Sequence, residues 1–185
     1  MRAAITALVV GVVTIPIFVL SRRSLRDSTS HGFFRFFAFE AIVILIALNA
    51  PWWFVRPFAP RQLVSWLLLT ASVVVVVWGT LLLRRRGAAQ APAHDSLLYK
   101  WENTAHLVTS GIYRYIRHPL YASLLFLAWG AALKAISPFS LALAALATVA
   151  LFGTAKAEEV ENLARWGDGY RQYMKGTRRF IPFVL

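Results

Sequence analysis

Two long stretches without a charged residue constrain what this chain can fold into. Residues 63–83 and 135–155 each contain 21 consecutive uncharged residues, close to the roughly 20 that cross a hydrocarbon core as an α-helix. The chain has 185 residues, of which 58% are hydrophobic, more than an ordinary soluble domain contains. These features predict an integral, multi-pass membrane protein.

Three further stretches are candidate spans. Residues 3–20 are uncharged, and residues 41–55 lengthen to a full span if the helix begins near Phe33. Residues 120–133 are short for a crossing and also suit a re-entrant or interfacial segment. We include them because five spans place sixteen of the 20 Lys and Arg residues on one side, which the positive-inside rule assigns to the cytoplasm.

The predicted fold is therefore an all-α, polytopic helix bundle with about five transmembrane helices and a C-terminal region on the cytoplasmic side. We expect its first span to be retained. The predicted divisions are a scaffold of three spans, a cytoplasmic loop, a transmembrane hairpin and a cytoplasmic tail: 1–86, 87–119, 120–155 and 156–185. Residues 95–107 are predicted to form an amphipathic surface helix.

The distribution of charged and metal-binding residues excludes several functions. The net charge of +12 comes from basic residues beside the spans, so membrane lipid is the expected partner and nucleic acid is not. The chain has no cysteine, and its four histidines are dispersed, so we expect no metal site. Glu40, near the start of a span, is expected to be paired or to lie at the interface.

Two polar blocks flank the last two spans. The first block, residues 110–121, contains Arg117-His118-Pro119, and the second, residues 158–173, begins with Glu158-Glu159. The hairpin between the blocks returns them to the same membrane face. The carboxylates could bind ribose hydroxyls or an ammonium, and Arg117 or His118 a carboxylate, although a solvated face and interfacial anchoring explain the same residues.

Taken together, the motifs resemble the isoprenylcysteine carboxyl methyltransferase and phospholipid methyltransferase superfamily. The matching residues are Gly111, Tyr113, Arg117, His118, Pro119 and Tyr121, then Glu158, Glu159 and Leu163, then Gly167, Tyr170 and Tyr173, with Arg178-Arg179-Phe180-Ile181-Pro182 at the end. The resemblance covers residues 107–185. It implies a cytoplasmic C-terminal cofactor region that includes the tail 156–185, with the active site facing the cytoplasm in the cytoplasmic membrane of a prokaryote. The implied cofactor is S-adenosylmethionine, held on the cytoplasmic side by Tyr113, His118, Pro119, Tyr121, Glu158, Glu159, Tyr170 and Tyr173.

The resemblance implies a methyltransferase that acts on a lipophilic or lipidated acceptor. A carboxylate acceptor would be positioned by a cation such as Arg117 or Arg178, which we take as candidate catalytic residues, whereas an amine acceptor needs a group that takes its proton. The surplus of cations favours carboxyl O-methylation of the isoprenylcysteine type. N- or S-methylation of a phospholipid or another small lipophilic acceptor is the alternative.

Two readings from other classes remain open. One is a membrane subunit or transporter component without enzymatic activity, although the chain has no second inverted half. The other is a membrane reductase related to sterol reductases, which use a nicotinamide cofactor and generally have more spans.

Overall fold

The computed structural model describes residues 2–87 and 106–183, and these residues form five α-helices. Their bounds are α1 Arg2–Ser21, α2 His31–Asn49, α3 Pro60–Arg86, α4 Pro119–Ala132 and α5 Pro138–Gly176. Short 3-10 turns occur at Ser24–Arg26, Ala50–Trp52 and Gly111–Arg114. The prediction of an all-α fold is confirmed. The surface helix predicted for residues 95–107 falls almost wholly outside the described residues.

Four of the described helices are long and apolar enough to cross a membrane, namely α1, α2, α3 and α5. By contrast, α4 has 14 residues and measures about 21 Å at 1.5 Å per residue, less than the ~30 Å of a hydrocarbon core. It begins at Pro119, and the preceding His118 is not helical, with φ −121° and ψ 62°. This is the conformation expected of a residue before proline.

Alanines let the central helices approach one another closely. Ala41 of α2, Ala128 and Ala131 of α4, and Ala144 and Ala147 of α5 are at most 2% exposed and belong to one apolar cluster. In lipid, association of helices depends on such close packing because the surrounding chains are as apolar as the side chains. The cluster fixes the hairpin of α4 and α5 against α2.

Polar side chains from neighbouring helices satisfy the C-terminal carbonyls of α4. Asn49 donates to the carbonyl of Ala131 at 2.9 Å, and Ser65 donates to that of Gly130 at 2.6 Å. Gln62 donates to the carbonyl of Lys134 at 3.1 Å, and the buried Lys134 ammonium donates to Gln62 Oε1 at 3.1 Å. The carbonyls at the end of a helix have no partners within that helix, and buried ones need partners from the rest of the protein.

The chain path brings three basic segments to one end of the bundle. The start of α2 contacts α5 through His31 and Glu161, the end of α3 packs on Gly111, and the start of α4 lies beside Glu158. The two polar blocks therefore lie at the same end.

Glu40 of α2 accepts a hydrogen bond from Thr14 at 2.7 Å, which joins α2 to α1. Its other carboxylate oxygen is buried and has no hydrogen-bond partner among the described residues. The partner of Glu40 is thus a hydroxyl group of a neighbouring helix.

The first prediction concerns orientation. Because the end that carries the polar blocks also carries most of the Lys and Arg residues, we expect it to face the cytoplasm. Reporter fusions after Arg86 and after Leu185 should both report cytoplasm, and a fusion after Phe58, at the other end, should report the opposite side. Different sides for Arg86 and Leu185 would contradict a site shared between the blocks.

The second prediction concerns the C-terminal end of α4. Gln62→Leu should lower the free energy of unfolding by about 1 to 3 kcal/mol, because it leaves a buried carbonyl and a buried ammonium without their partner. Unfolding in detergent micelles measures the change. Thr70→Leu, a polar-to-apolar change at an exposed position of the same helix, is the control and should cost less than about 0.5 kcal/mol. Equal effects of the two substitutions would contradict the role given to Gln62.

Candidate functional site

The first polar block enters the site through a tight turn on α3. Gly111 has φ +62°, in the left-handed region that favours glycine, and a Cβ there would lie 2.5 Å from a methyl carbon of Leu82. The 3-10 turn Gly111–Arg114 follows and buries Ile112 and Tyr113. Glycine at this position therefore lets the motif segment lie directly against the end of α3.

The motif segment is paired with the C-terminal segment through backbone hydrogen bonds. Ile116 and Arg178 form a parallel bridge. The amide of Arg117 donates to the carbonyl of Arg178 at 2.7 Å, and the amide of His118 donates to that of Arg179 at 3.0 Å. These bonds satisfy backbone groups that α4 cannot, since Arg117 and His118 precede its first turn.

Arg117 is the most fully bonded side chain in this part of the site. Its Nε and Nη2 atoms each lie 2.9 Å from Glu159 Oε1. Its Nη1 donates to the carbonyl of Met174 at 3.2 Å and to the carbonyl and hydroxyl of Thr177. The side chains of Arg117 and Glu159 are 8% and 5% exposed, so this is a buried ion pair with its remaining donors satisfied.

Arg179 completes the pairing from the other side of Glu159. Its Nε lies 3.1 Å from both carboxylate oxygens, and its Nη2 donates to Oε2 at 2.8 Å. This hydrogen bonding to Glu159 raises the pKa of Arg179 above its ordinary value. The carboxylate of Glu159 thus joins the entrance of α4 to the C-terminal segment.

His118 lies between this ion cluster and the pocket. Its ring is buried and stacks on Tyr121, with the centroids 5.5 Å apart. Its Nδ1 lies 3.7 Å from Glu158 Oε2, and its Nε2 lies 3.5 Å from Glu159 Oε1. Nε2 is buried and has no hydrogen-bond partner among the described residues.

A bend in α5 folds its last turns back towards the first block. Gly167 has φ +55° and ψ −130°, which interrupts the helix, and only glycine adopts such backbone readily. Beyond it, Tyr170 is buried and packs near Tyr173, whose hydroxyl donates to the carbonyl of Tyr113 at 2.6 Å. The two tyrosines close one side of a pocket.

This pocket lies between the first block and α5, at the basic end of the bundle. Its α5 wall is a stripe at positions i, i+3, i+4, i+7 and i+8, the spacing of one helical face: Glu158, Glu161, Asn162, Arg165 and Trp166. Glu161 is held by His31 of α2, whose Nδ1 lies 2.7 Å from its Oε2. A scaffold helix therefore also supports the wall.

Eight of the ten side chains expected at the site line this pocket: Tyr113, Arg117, His118, Pro119, Tyr121, Glu158, Tyr170 and Tyr173. The other two do not. Glu159 is 3% exposed and faces the two arginines, and Arg178 is exposed and takes part through its backbone. The tail arginine whose side chain reaches this region is Arg179, which binds Glu159 and does not line the pocket.

The sequence reasoning missed the four α5 residues that follow the paired glutamates. Glu161, Asn162, Arg165 and Trp166 continue the helical face that begins at Glu158, so their spacing could have identified them. Neighbouring side chains of an extended segment point in opposite directions, and the sequence around Arg178 and Arg179 does not show which of the two faces Glu159. The backbone bridge between Ile116 and Arg178 determines that Arg179 does.

Comparison with known families agrees with this geometry. The family model described as phospholipid methyltransferase matches residues 61–166, which include almost all of α3, the first polar block, α4 and the whole α5 stripe. The match covers more than half of the chain, so the protein belongs to the phospholipid methyltransferase family. This confirms the resemblance to the superfamily that the motifs predicted. A comparison with curated proteins gives no match.

The third prediction tests the ion cluster. Arg117→Lys keeps the charge but loses the planar fork that reaches Glu159, Met174 and Thr177 together. It should lower the free energy of unfolding by roughly 1 to 3 kcal/mol, measured by denaturation in detergent micelles.

Arg171→Lys is the matched control for Arg117→Lys. Arg171 pairs with Asp168, and the two side chains are 69% and 93% exposed, so the change should cost less than about 0.5 kcal/mol. Arg117→Lys that is as stable as the control would show that the fork is not needed.

Proposed function

We propose that the protein is a methyltransferase that uses S-adenosylmethionine to methylate an amine on a lipid head group at one face of the membrane. Membership of the phospholipid methyltransferase family supports the reaction and the lipid character of the acceptor. The observation that carries the choice of an amine is the placement of charge. Arg117 and Glu161 line the pocket but are already paired, with Glu159 and His31 respectively, whereas Glu158 brings to the pocket a carboxylate that lies 3.7 Å from Nδ1 of His118.

The pocket side chains fit S-adenosylmethionine in their chemistry. Glu158 and Asn162 offer acceptors and a donor for ribose hydroxyls and an ammonium. The aromatic side chains of Tyr113, Tyr121 and Trp166 suit a flat adenine and a positively charged sulfonium. Arg165, on the same stripe, is a cation that suits the carboxylate of the cofactor.

The same placement weakens the case for a carboxylate acceptor. The sequence-based preference for carboxyl O-methylation depended on Arg117 and Arg178 as the cations that would hold the carboxylate of the acceptor. In the structure the Nε, Nη1 and Nη2 atoms of Arg117 face Glu159 and backbone or hydroxyl oxygens of Met174 and Thr177, and Arg178 does not line the pocket. An acceptor that brings a positive charge meets better complementarity beside Glu158.

The residues of the chain have three tasks in this reaction. The cofactor supplies an electrophilic methyl group, so no covalent enzyme intermediate is required. The buried walls formed by Tyr113, Tyr170 and His118 exclude water and fix the direction of approach. A lipid ammonium must first lose a proton, and Glu158, which lines the pocket and has a side chain that is 27% exposed, would accept it. The nitrogen lone pair would then form the N–C bond while the C–S bond of the sulfonium breaks, and the sulfur would leave as a neutral thioether.

The fourth prediction tests Glu158 directly. Glu158→Gln should weaken binding of S-adenosylmethionine or lower kcat/KM for an amino lipid by roughly 1 to 3 kcal/mol, because it removes a charged partner from the pocket. Binding is measured by equilibrium dialysis, and transfer by radiolabelled methyl groups in mixed micelles. Asp168→Asn is the matched control on the same helix, since Asp168 is exposed and does not line the pocket.

The acceptor class is tested with matched lipids that differ only in the head group. An amine-bearing lipid should be methylated, and a lipid thiol or an isoprenylcysteine-type carboxylate should not. Methylation of the carboxylate alone would replace the proposal with O-methylation. Binding of the cofactor without transfer to any of them would favour a role as a subunit without enzymatic activity.

A further inference from the structure

A second cavity lies on the side of the bundle formed by α3, α4 and α5. Its volume is about 380 Å³, and the exposed surface of its walls is almost entirely apolar. We call it the chain groove. The residues that carry the inference are Leu125, Phe126, Trp129, Leu133, Phe152 and Phe180.

The length of the chain groove matches one leaflet of a membrane. Along α4 it extends from Ala122 to Leu133, which is about 16 Å at 1.5 Å per residue. Half of a ~30 Å hydrocarbon core is about 15 Å. A lipid in the leaflet next to the candidate site would therefore reach the full length of the groove with one chain.

The end of the chain groove at Ala122 adjoins the polar pocket. Phe180 lines the groove, packs on Phe152 with ring centroids 4.8 Å apart, and lies 6.2 Å from the ring of His118. On α4, the consecutive residues Tyr121 and Ala122 line the pocket and the groove respectively. A lipid chain in the groove would thus place its head group within reach of the pocket.

The opposite end of the chain groove, farther from the pocket, is bounded by Trp129 and Leu133. The indole of Trp129 donates to Thr148 at 3.2 Å, which joins α4 to α5 across the groove. This contact gives the groove a floor. A floor at fixed depth makes the groove sensitive to chain length.

We propose that the chain groove holds one hydrocarbon chain of the methyl acceptor and that Trp129 and Leu133 limit the length of that chain. The inference rests on the proposed function and adds the lipid chain as a determinant of specificity. Transfer from bilayer to groove gains no hydrophobic free energy, because both surroundings are apolar. Selectivity must therefore come from steric fit.

The binding test uses the full chain in lipid nanodiscs and an amino lipid that carries a diazirine in the middle of one chain. Crosslinks mapped by mass spectrometry should concentrate on residues 125–133 and 148–152, and excess unlabelled amino lipid should suppress them. A diazirine chain of the same length without the amino head group is the control probe. Equal labelling of the groove by both probes would show that bulk lipid fills it and would overturn the proposal.

The kinetic test compares two substitutions and a control. Leu125→Trp, which fills the groove, should lower kcat/KM for long-chain amino lipids by about tenfold, as overfilled packing sites typically do, and should leave turnover of a short-chain analogue unchanged. Trp129→Ala, which opens the floor, should shift the preference to longer chains. Val149→Trp changes a lipid-facing position that does not line the groove and should alter neither.

These outcomes separate the two proposals. A wild-type protein that methylates no amino lipid would refute the proposed function, while the crosslinking result is read independently of turnover. An active wild type whose chain-length profile is the same in Leu125→Trp, Trp129→Ala and Val149→Trp would refute the role of the groove alone. Binding of S-adenosylmethionine by each variant reports whether its fold is retained.

Discussion

The buried ion pair between Arg117 and Glu159 is the interaction on which the rest of the site depends. A carboxylate side chain that is 5% exposed is stable only with charged partners and further hydrogen bonds, and Arg117 and Arg179 supply both. The pair joins the entrance of α4, the polar end of α5 and the C-terminal segment, three parts distant in sequence. It also explains why adjacent glutamates have different positions, since Glu159 faces inward to the arginines and Glu158 faces the pocket.

The membrane sets the second constraint, because backbone groups in the apolar layer must find partners within the protein. At one end, Asn49, Ser65 and Gln62 satisfy the carbonyls at the end of α4. At the other end, the non-helical motif segment is paired with residues 178 and 179. The backbone groups of both places therefore have partners within the protein, and the second place borders the pocket.

Much of the fold could be predicted from the sequence because hydrophobic length and charge are local properties. The uncharged runs predicted the helices, and the run at residues 120–133 nearly coincides with α4. The partners of Glu159 could not be predicted in this way. They depend on the register between Ile116 and Arg178, which is set by tertiary packing, and a shift of one residue exchanges the inward and outward arginines. The chain groove was also beyond reach, since its walls come from three helices and the C-terminal segment.

The central claim is that the pocket beside the buried ion pair is a site for S-adenosylmethionine. Equilibrium binding of S-adenosylmethionine and of NADPH to the purified full chain in the same detergent tests it most directly. The purified chain should bind S-adenosylmethionine saturably at one site per chain and should show no saturable binding of NADPH. Saturable binding of NADPH, or of neither compound by folded protein, would contradict it.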